Sequence, residues 1–218
     1  MRISERMNKK VTTISRNDTL ETAMKTMRDN GIRHLPVVDG SKLSGVLSLS
    51  DVRRAMPSQV STLDVHEATY LFDRVKVKDA IPKDQKLITI ESDDFIEEAA
   101  LLMRSYKIGA LPVLDNDGAL AGIVTESNIF DAFVDLLGVR SSGSRLALEV
   151  NDKPGILAEI TDIIRKFKVN ITRIAMFPQG VDLPYEAVIR LDTGEIDPIV
   201  EMLRLHGFKV LSAKSYAR

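Results

Sequence analysis

Two short β-type runs, VTTIS at 11–15 and LITIE at 87–91, each precede a stretch in which apolar residues return with helical spacing. In the first stretch Leu20, Ala23, Met24 and Met27 fall at i, i+3, i+4 and i+7, one face of a helix, and Ile96, Ala99, Ala100 and Met103 repeat the arrangement. Asp18 with Glu21, and Asp94 with Glu97, have the spacing of a capping box, which satisfies free N–H groups at a helix start. Asn30-Gly31 gives the first helix a natural stop. An apolar strand (LPVVD or LPVLD), a turn, a second strand and a short helix starting near Leu49 complete the first set. The predicted order is β-α-β-β-α, twice.

The two sets align residue by residue. Placing Leu35 on Leu111 gives an offset of 111 − 35 = 76, which also puts Met27 on Met103 and Arg28 on Arg104. One inserted residue in the turn DNDG raises the offset to 77, aligning Gly45 with Gly122 and Ser48 with Thr125. This is a duplicated unit. Between the copies, Pro57-Ser58 ends a helix, and Val65, Ala68, Thr69 and Phe72 allow a short linking helix.

The pattern changes at SSGS, 141–144, a junction of small polar residues. Beyond it LALEV alternates as a strand, and Ile156, Ile160, Ile163, Ile164 and Phe167 form a helical stripe. ITRIAMF and YEAVIRL read as strands. Ile196, Ile199, Val200 and Leu203 mark a second helix with Pro198 in its first turn and Gly207 as its stop, and FKVLS is the last strand. This order is β-α-β-β-α-β. The whole is therefore an α/β (α+β) chain divided as 1–58 and 77–138 for the two copies, 59–76 and 139–143 for linkers, and 144–218 for the last domain.

Composition narrows the function classes. With 30 basic and 31 acidic residues among 218, the net charge of -1 gives no electrostatic case for nucleic acid, and no basic helix suggests a DNA-binding regulator. The absence of cysteine excludes disulfides, thiolate metal sites and cysteine nucleophiles together. MRISERMNKK holds no apolar stretch for a secretion signal, and no segment approaches the roughly 20 apolar residues of a membrane span, so a soluble cytoplasmic protein with no membrane partner is expected. His34, His66 and His206 have no metal-ligand spacing with one another. Asp93-Asp94 and Glu97-Glu98 gather at a helix start, where they complement the dipole without catalysis. Without a phosphate loop, nucleophile motif or metal cluster, no enzyme is indicated.

Ile32 to Asp39 with Gly45 to Asp51, and Ile108 to Asp115 with Gly122 to Asn128, resemble the CBS domain, named after cystathionine β-synthase. Two in tandem resemble a CBS pair, or Bateman module. The resemblance implies clefts between the repeats for a regulatory adenosyl ligand: AMP, ADP, ATP or S-adenosylmethionine. The family motif is glycine, three residues with Ser or Thr third, two more, then Asp; Gly45, Ser48 and Asp51 fit it. An ionised carboxylate has two acceptor oxygens and can hold both hydroxyls of a ribose cis-diol. Thr125 keeps the hydroxyl in the second copy, but Asn128 has one acceptor oxygen and an amide donor, so that site reads as weakened or altered. The resemblance further implies phosphate contacts from Arg33-His34, where the second copy has Gly109-Ala110 and, at a distance, Lys107. It implies base contacts from Thr13 and Thr89. A plainer alternative stays open, with Ser48 and Asp51 capping the next helix and Arg33-His34 forming a solvated strand edge.

Asp152, Lys153, Pro154, Gly155, Ile156 and Leu157 at the first strand-to-helix turn, Val169-Asn170-Ile171, and Gly207-Phe208 resemble the ACT domain, an amino-acid-sensing module of ferredoxin-like fold. Gly155 permits close backbone approach, and the free N–H groups of a helix N-terminus suit a carboxylate. The resemblance places Asp152, Pro154, Gly155, Ile156, Leu157 and Asn170 around a bound amino acid; Val150 stands where serine-sensing relatives have histidine. Alternatively the Pro154-Gly155 turn only shapes the chain while the sheet pairs two copies. A CBS pair followed by an ACT domain, with DTLETA at 18–23 and IRHLPVVD at 32–39, resembles the AcuB-like group, whose name points to acetoin utilisation. The expected protein is a non-catalytic homodimeric sensor read by an unidentified target protein. The alternative is an assembly module without a small-molecule ligand.

Overall fold

The apolar faces predicted from periodicity are the faces the fold buries. The computed structural model describes residues 1–40, 42–55, 74–82, 85–181 and 183–216, so the linking helix expected over 65–72, and His66 within it, lie outside the described residues. The chain divides into two compact units, Met1–Ala132 and Phe133–Arg218.

In the first unit, β1 (Ile14–Ser15) pairs parallel with β2 (His34–Asp39), which pairs antiparallel with β3 (Lys42–Ser48). Helix α1 (Leu20–Asp29) turns Leu20, Ala23 and Met27 onto Leu35, Val37 and Leu47 of this sheet, and α2 (Leu49–Ala55) follows. The second copy repeats the plan after α3 (Val77–Ala80), with β4 (Ile90–Glu91), α4 (Ile96–Tyr106), β5 (Ala110–Leu114), β6 (Leu120–Thr125) and α5 (Glu126–Leu136). Its core gathers Ala99, Met103, Leu111, Val113 and Val124.

Two local expectations are corrected. The opening strands shrink to two residues each, because the residues ahead of Ile14 and Ile90 leave their sheets to line clefts. The helices also begin later than a capping box at Asp18 or Asp94 requires. Thr19 is the first N-cap, its Oγ1 accepting the Thr22 N–H at 3.2 Å, and in the second copy Glu98 accepts the Phe95 N–H at 2.9 Å. Asp18 and Asp94 instead close the preceding turns, accepting the N–H groups of Ser15 and Glu91 at 2.9 Å each.

Each copy's core is completed by the segment that leads into the other copy. Ile3, in a short 3-10 turn (Ile3–Glu5), is buried in the second core, while Val77 of α3 is buried in the first. The backbone bonds correspond: Ile3 N–H to Asp94 O and Val77 N–H to Asp18 O, each 2.9 Å; Ser4 N–H to Ser92 O at 2.9 Å and Lys78 N–H to Arg16 O at 3.1 Å. Close approach of these segments explains the motif glycines. A Cβ on Gly122 would lie 2.4 Å from Met7 Sδ, and one on Gly45 would lie 3.1 Å from Gln85 Oε1. Beside Gly122 the backbones of Asn8 and Ile123 exchange hydrogen bonds at 2.9 and 3.0 Å. At the corresponding Val46 the Gln85 side-chain amide takes that role, accepting from Val46 N–H at 3.1 Å and donating to Val46 O at 2.9 Å.

The second unit contains β7 (Gly143–Val150), α6 (Ile156–Arg165), β8 (Ile171–Pro178), β9 (Tyr185–Leu191), α7 (Asp197–Leu205) and β10 (Lys209–Tyr216). Its antiparallel sheet runs β10-β7-β9-β8, the ferredoxin-like arrangement expected from β-α-β-β-α-β. Ile156, Ile160, Ile163 and Ile164 of α6 pack with Ile199, Val200 and Leu203 of α7 on Leu146, Leu148, Ile189 and Leu191. No described helix is long and apolar enough to cross a membrane.

Candidate ligand clefts of the repeat pair

The end of β3 delivers Ser48 and Asp51 onto one tight turn entering α2. Asp51 Oδ2 accepts the Ser48 N–H at 2.9 Å and the Ser48 Oγ–H at 2.5 Å, and Ser48 Oγ in turn accepts the Asp51 N–H at 3.1 Å. The other oxygen, Oδ1, is left for the cleft, where Arg54 Nη1 reaches it at 3.3 Å. The second copy builds the same turn. Asn128 Oδ1 accepts the Thr125 N–H at 2.9 Å and the Thr125 Oγ1–H at 2.8 Å. One side-chain oxygen therefore suffices for the turn in either copy. What differs is the remaining atom: a carboxylate oxygen in Asp51, an amide NH2 in Asn128.

Two clefts flank the junction of the copies, and each is lined by residues from both. The first, of about 330 Å³, joins Val46, Ser48, Ser50 and Asp51 to Lys86 and Ile88 and to 107–110 of the second copy. The second, of about 580 Å³, joins Ile123, Thr125, Ser127 and Asn128 to Lys10 and Thr12 and to 31–34 of the first. Under the offsets of 76 and 77 each of these positions in one cleft maps onto its counterpart in the other. Both volumes lie within the range typical of small-molecule sites, about 300–1,000 Å³.

This exchange reassigns the basic residues. Arg33 does not join Asp51; it lines the cleft of Asn128 with Lys10. Asp51 instead faces Lys86, Lys107 and Arg54. Lys107, remote from Asp51 in sequence, is a cleft residue, and its backbone lies at φ 55, the left-handed conformation that its counterpart Gly31 adopts at φ 64. A non-glycine residue there carries strain of order 1–3 kcal/mol. The ammonium of Lys86 sits 5.8 Å from the Tyr106 ring centroid. Sequence reasoning missed Lys10, Lys86, Arg54, Gln85 and Glu126; a lysine at matching positions of both copies, 10 and 86, was the available signal.

His34 lines both clefts. It stands against Gly109, where a Cβ would meet its Cε1 and Nε2 at 3.2 Å and Glu126 Oε2 at 3.4 Å. Burial pushes its pKa below the ordinary value of 6.5; Glu126 and Asp51 act in the opposite direction, and Arg33 adds to the lowering. Thr13 and Thr89 line neither cleft; Thr12 and Ile88 do. Side chains alternate along extended backbone, and with Ile14 turned into the core the adjacent Thr13 is exposed.

In the second unit Gly155 caps α6 with φ 87, and Asp152, Pro154 and Leu157 are exposed around that turn. Asn170 does not join them: the turn follows Val150, which pairs with Tyr185, whereas Asn170 precedes Ile171 at the other end of the sheet, where Ile171 and Ser144 both pair with Leu191. Ile156 is not available as a contact: its side chain is in the core and its N–H donates to Lys153 O at 3.2 Å. The Asn170 backbone is engaged with Asp192, whose Oδ1 accepts the Asn170 N–H at 2.9 Å.

Comparison with known proteins agrees with this architecture. The CBS domain family matches residues 3–58 and 77–135, and the ACT domain family matches residues 144–206. A CBS domain-containing protein of Dictyostelium discoideum is 35% identical over 62% of this chain and 92% of its own length. The chain spans only 22% of a homoserine O-acetyltransferase of Methanosarcina acetivorans, at 31% identity over 60% of this chain. Among solved structures, one described as an acetoin utilization protein (AcuB) from Vibrio cholerae is 27% identical, with a TM-score of 0.51, over 64% of this chain and 95% of that one. The CBS domain pair of protein MJ0100, solved with 5-methylthioadenosine and S-adenosylmethionine, shares the fold at 23% identity and a TM-score of 0.50 over 65% of this chain and 98% of that one. This chain belongs to the CBS domain family, carrying a tandem CBS pair followed by an ACT domain.

Proposed function

We propose that this protein is a non-catalytic ligand sensor whose Asp51 cleft takes an adenine nucleotide or a related adenosyl ligand. The observation that carries this reading is the division of labour within Asp51: Oδ2 is committed to the turn, while Oδ1 is available among Lys86, Lys107 and Arg54. A carboxylate oxygen suits ribose hydroxyls, and the surrounding cations suit phosphates. AMP, ADP, ATP and S-adenosylmethionine are the ligands to test, the last also because the MJ0100 pair holds it. Occupancy acts by favouring one arrangement of the pair, which requires different affinities for the alternatives. That arrangement is read by a target protein, with the chain acting as a cytoplasmic homodimer. At the ACT domain, the exposed helix start beside Asp152, Gly155 and Leu157 suits the carboxylate of an amino acid. Likeness to the Vibrio cholerae protein makes acetoin utilisation the metabolic setting of this reading.

Titration calorimetry tests it with AMP, ATP and S-adenosylmethionine on wild-type protein and on Asp51→Asn. Binding of at least one ligand, weakened by the substitution, is expected. The turn bonds of Ser48 and Asp51 are complete without any ligand, which favours an assembly role as the second reading. Absence of heat with every ligand, from protein that retains no small molecule in native mass spectrometry, supports that second reading instead.

A further inference from the structure

The face of the ACT sheet turned away from its two helices carries a row of four cations. Lys214 on β10 lies opposite Arg145 on β7, Arg145 opposite Arg190 on β9, and Arg190 opposite Arg173 on β8. Directly opposed residues share a sheet face, so one line of positive charge crosses all four strands over about 14 Å. These positions alternate with Leu146, Ile189 and Leu191, which face the helices. Like charges set directly opposite one another are destabilising, and such a row calls for counter-charge.

Among the described residues the chain supplies little of it. Glu186 Oε1 lies 3.4 Å from Arg145 Nη2, and Arg145 Nη1 donates to Ser212 Oγ at 3.0 Å. Arg173 reaches only carbonyl oxygens, those of Asp135 at 3.3 Å and Thr172 at 2.9 Å. Arg190 is the anomaly. It is only 8% exposed, its guanidinium lies 5.2 Å from the Tyr216 ring centroid, and its Nε is buried without an acceptor. A buried guanidinium held by a ring but by no carboxylate is costly to keep. Gly138 lies against the arginine stems, since a Cβ there would meet Arg173 Cγ at 3.2 Å and Arg190 Cδ at 3.5 Å.

We propose that this row is a binding site for a small multivalent oxyanion, distinct from both CBS clefts and from the turn at Asp152. Planar guanidinium forks match phosphate and carboxylate oxygens in pairs, and three of the four cations are arginines. The row is only as long as the sheet is wide, which fits a small polyanion rather than an extended acidic partner.

The full chain is titrated with pyrophosphate and with citrate, comparing wild type with Arg190→Met, Lys214→Ala and the control Lys209→Ala, whose lysine pairs with Glu149 at 2.8 Å. Wild type is expected to bind at least one anion, with affinity about tenfold lower in Arg190→Met, several-fold lower in Lys214→Ala and unchanged in the control. Stronger response to pyrophosphate assigns a phosphoryl ligand; stronger response to citrate assigns a polycarboxylate. Hydrogen exchange should localise the protection to β9 and β10. Without anion, Arg190→Met should melt no lower than wild type, because it removes an uncompensated buried charge. Equal affinities in all four proteins, protection confined to residues 1–132, or binding of a hexaglutamate peptide with neither small anion bound, overturns the proposal.

Discussion

Asp51 and Asn128 hold their turns in the same way, each accepting a backbone N–H at 2.9 Å and a hydroxyl from the residue three before it. The acid is therefore not needed for the turn. Asp51→Asn should leave thermal stability within about 1 kcal/mol of wild type while lowering nucleotide affinity about tenfold or more. Asn128→Ala should weaken nucleotide binding less. Paired melting and calorimetry check both halves, and equal affinity losses from the two substitutions place the primary site elsewhere.

The exchange of segments between the copies predicts which cation serves which cleft. Lys107→Ala should reduce ATP affinity at the Asp51 cleft several-fold, whereas Arg33→Ala should leave that affinity unchanged and affect only binding beside Asn128. Titrations in the Asp51→Asn background separate the two sites.

Much of this is legible in the sequence itself. Periodicity found the faces of α1, α4, α6 and α7, because those helices have one solvated side and one buried side. The repeat located Ser48 and Asp51 against Thr125 and Asn128. Segment exchange was not legible, since it is a relation between distant backbones: Ile3 matches Val77 at an offset of 77 − 3 = 74, while the repeat proper runs at 76. For the same reason sequence proximity groups Arg33 with the Ser48–Asp51 motif, although it lines the cleft of Asn128. Thr12 rather than Thr13 lines the cleft because 11–15 is not a regular strand: pairing begins only at Ile14.

Exchange also makes the first residues of the chain part of the second copy's core. Ile3→Ala should cost about 2–5 kcal/mol, as for a fully buried aliphatic side chain. Gln85→Ala should cost about 1–3 kcal/mol, because it strips both partners from the Val46 backbone. Denaturant unfolding measures each; a neutral Ile3→Ala contradicts the shared core.

His34 gives the stability of the pair a pH dependence of definite sign. Burial lowers its pKa below 6.5, so the unfolded chain binds the proton more readily than the folded one. The contribution of the neutral imidazole is complete above the unfolded value and is lost as pH falls through the folded one. As pH falls below about 6.5, wild type should lose stability more steeply than His34→Gln, as followed by unfolding at each pH. Parallel curves for the two proteins contradict the assignment.

The most direct measurement is a crystal structure of the full chain grown with AMP. The account predicts AMP in the cleft of Asp51, with ribose hydroxyls on Oδ1, Arg54 displaced from that oxygen, and the phosphate among the lysines at 86 and 107. An unoccupied Asp51 cleft at saturating AMP, with Arg54 still on Oδ1, contradicts it.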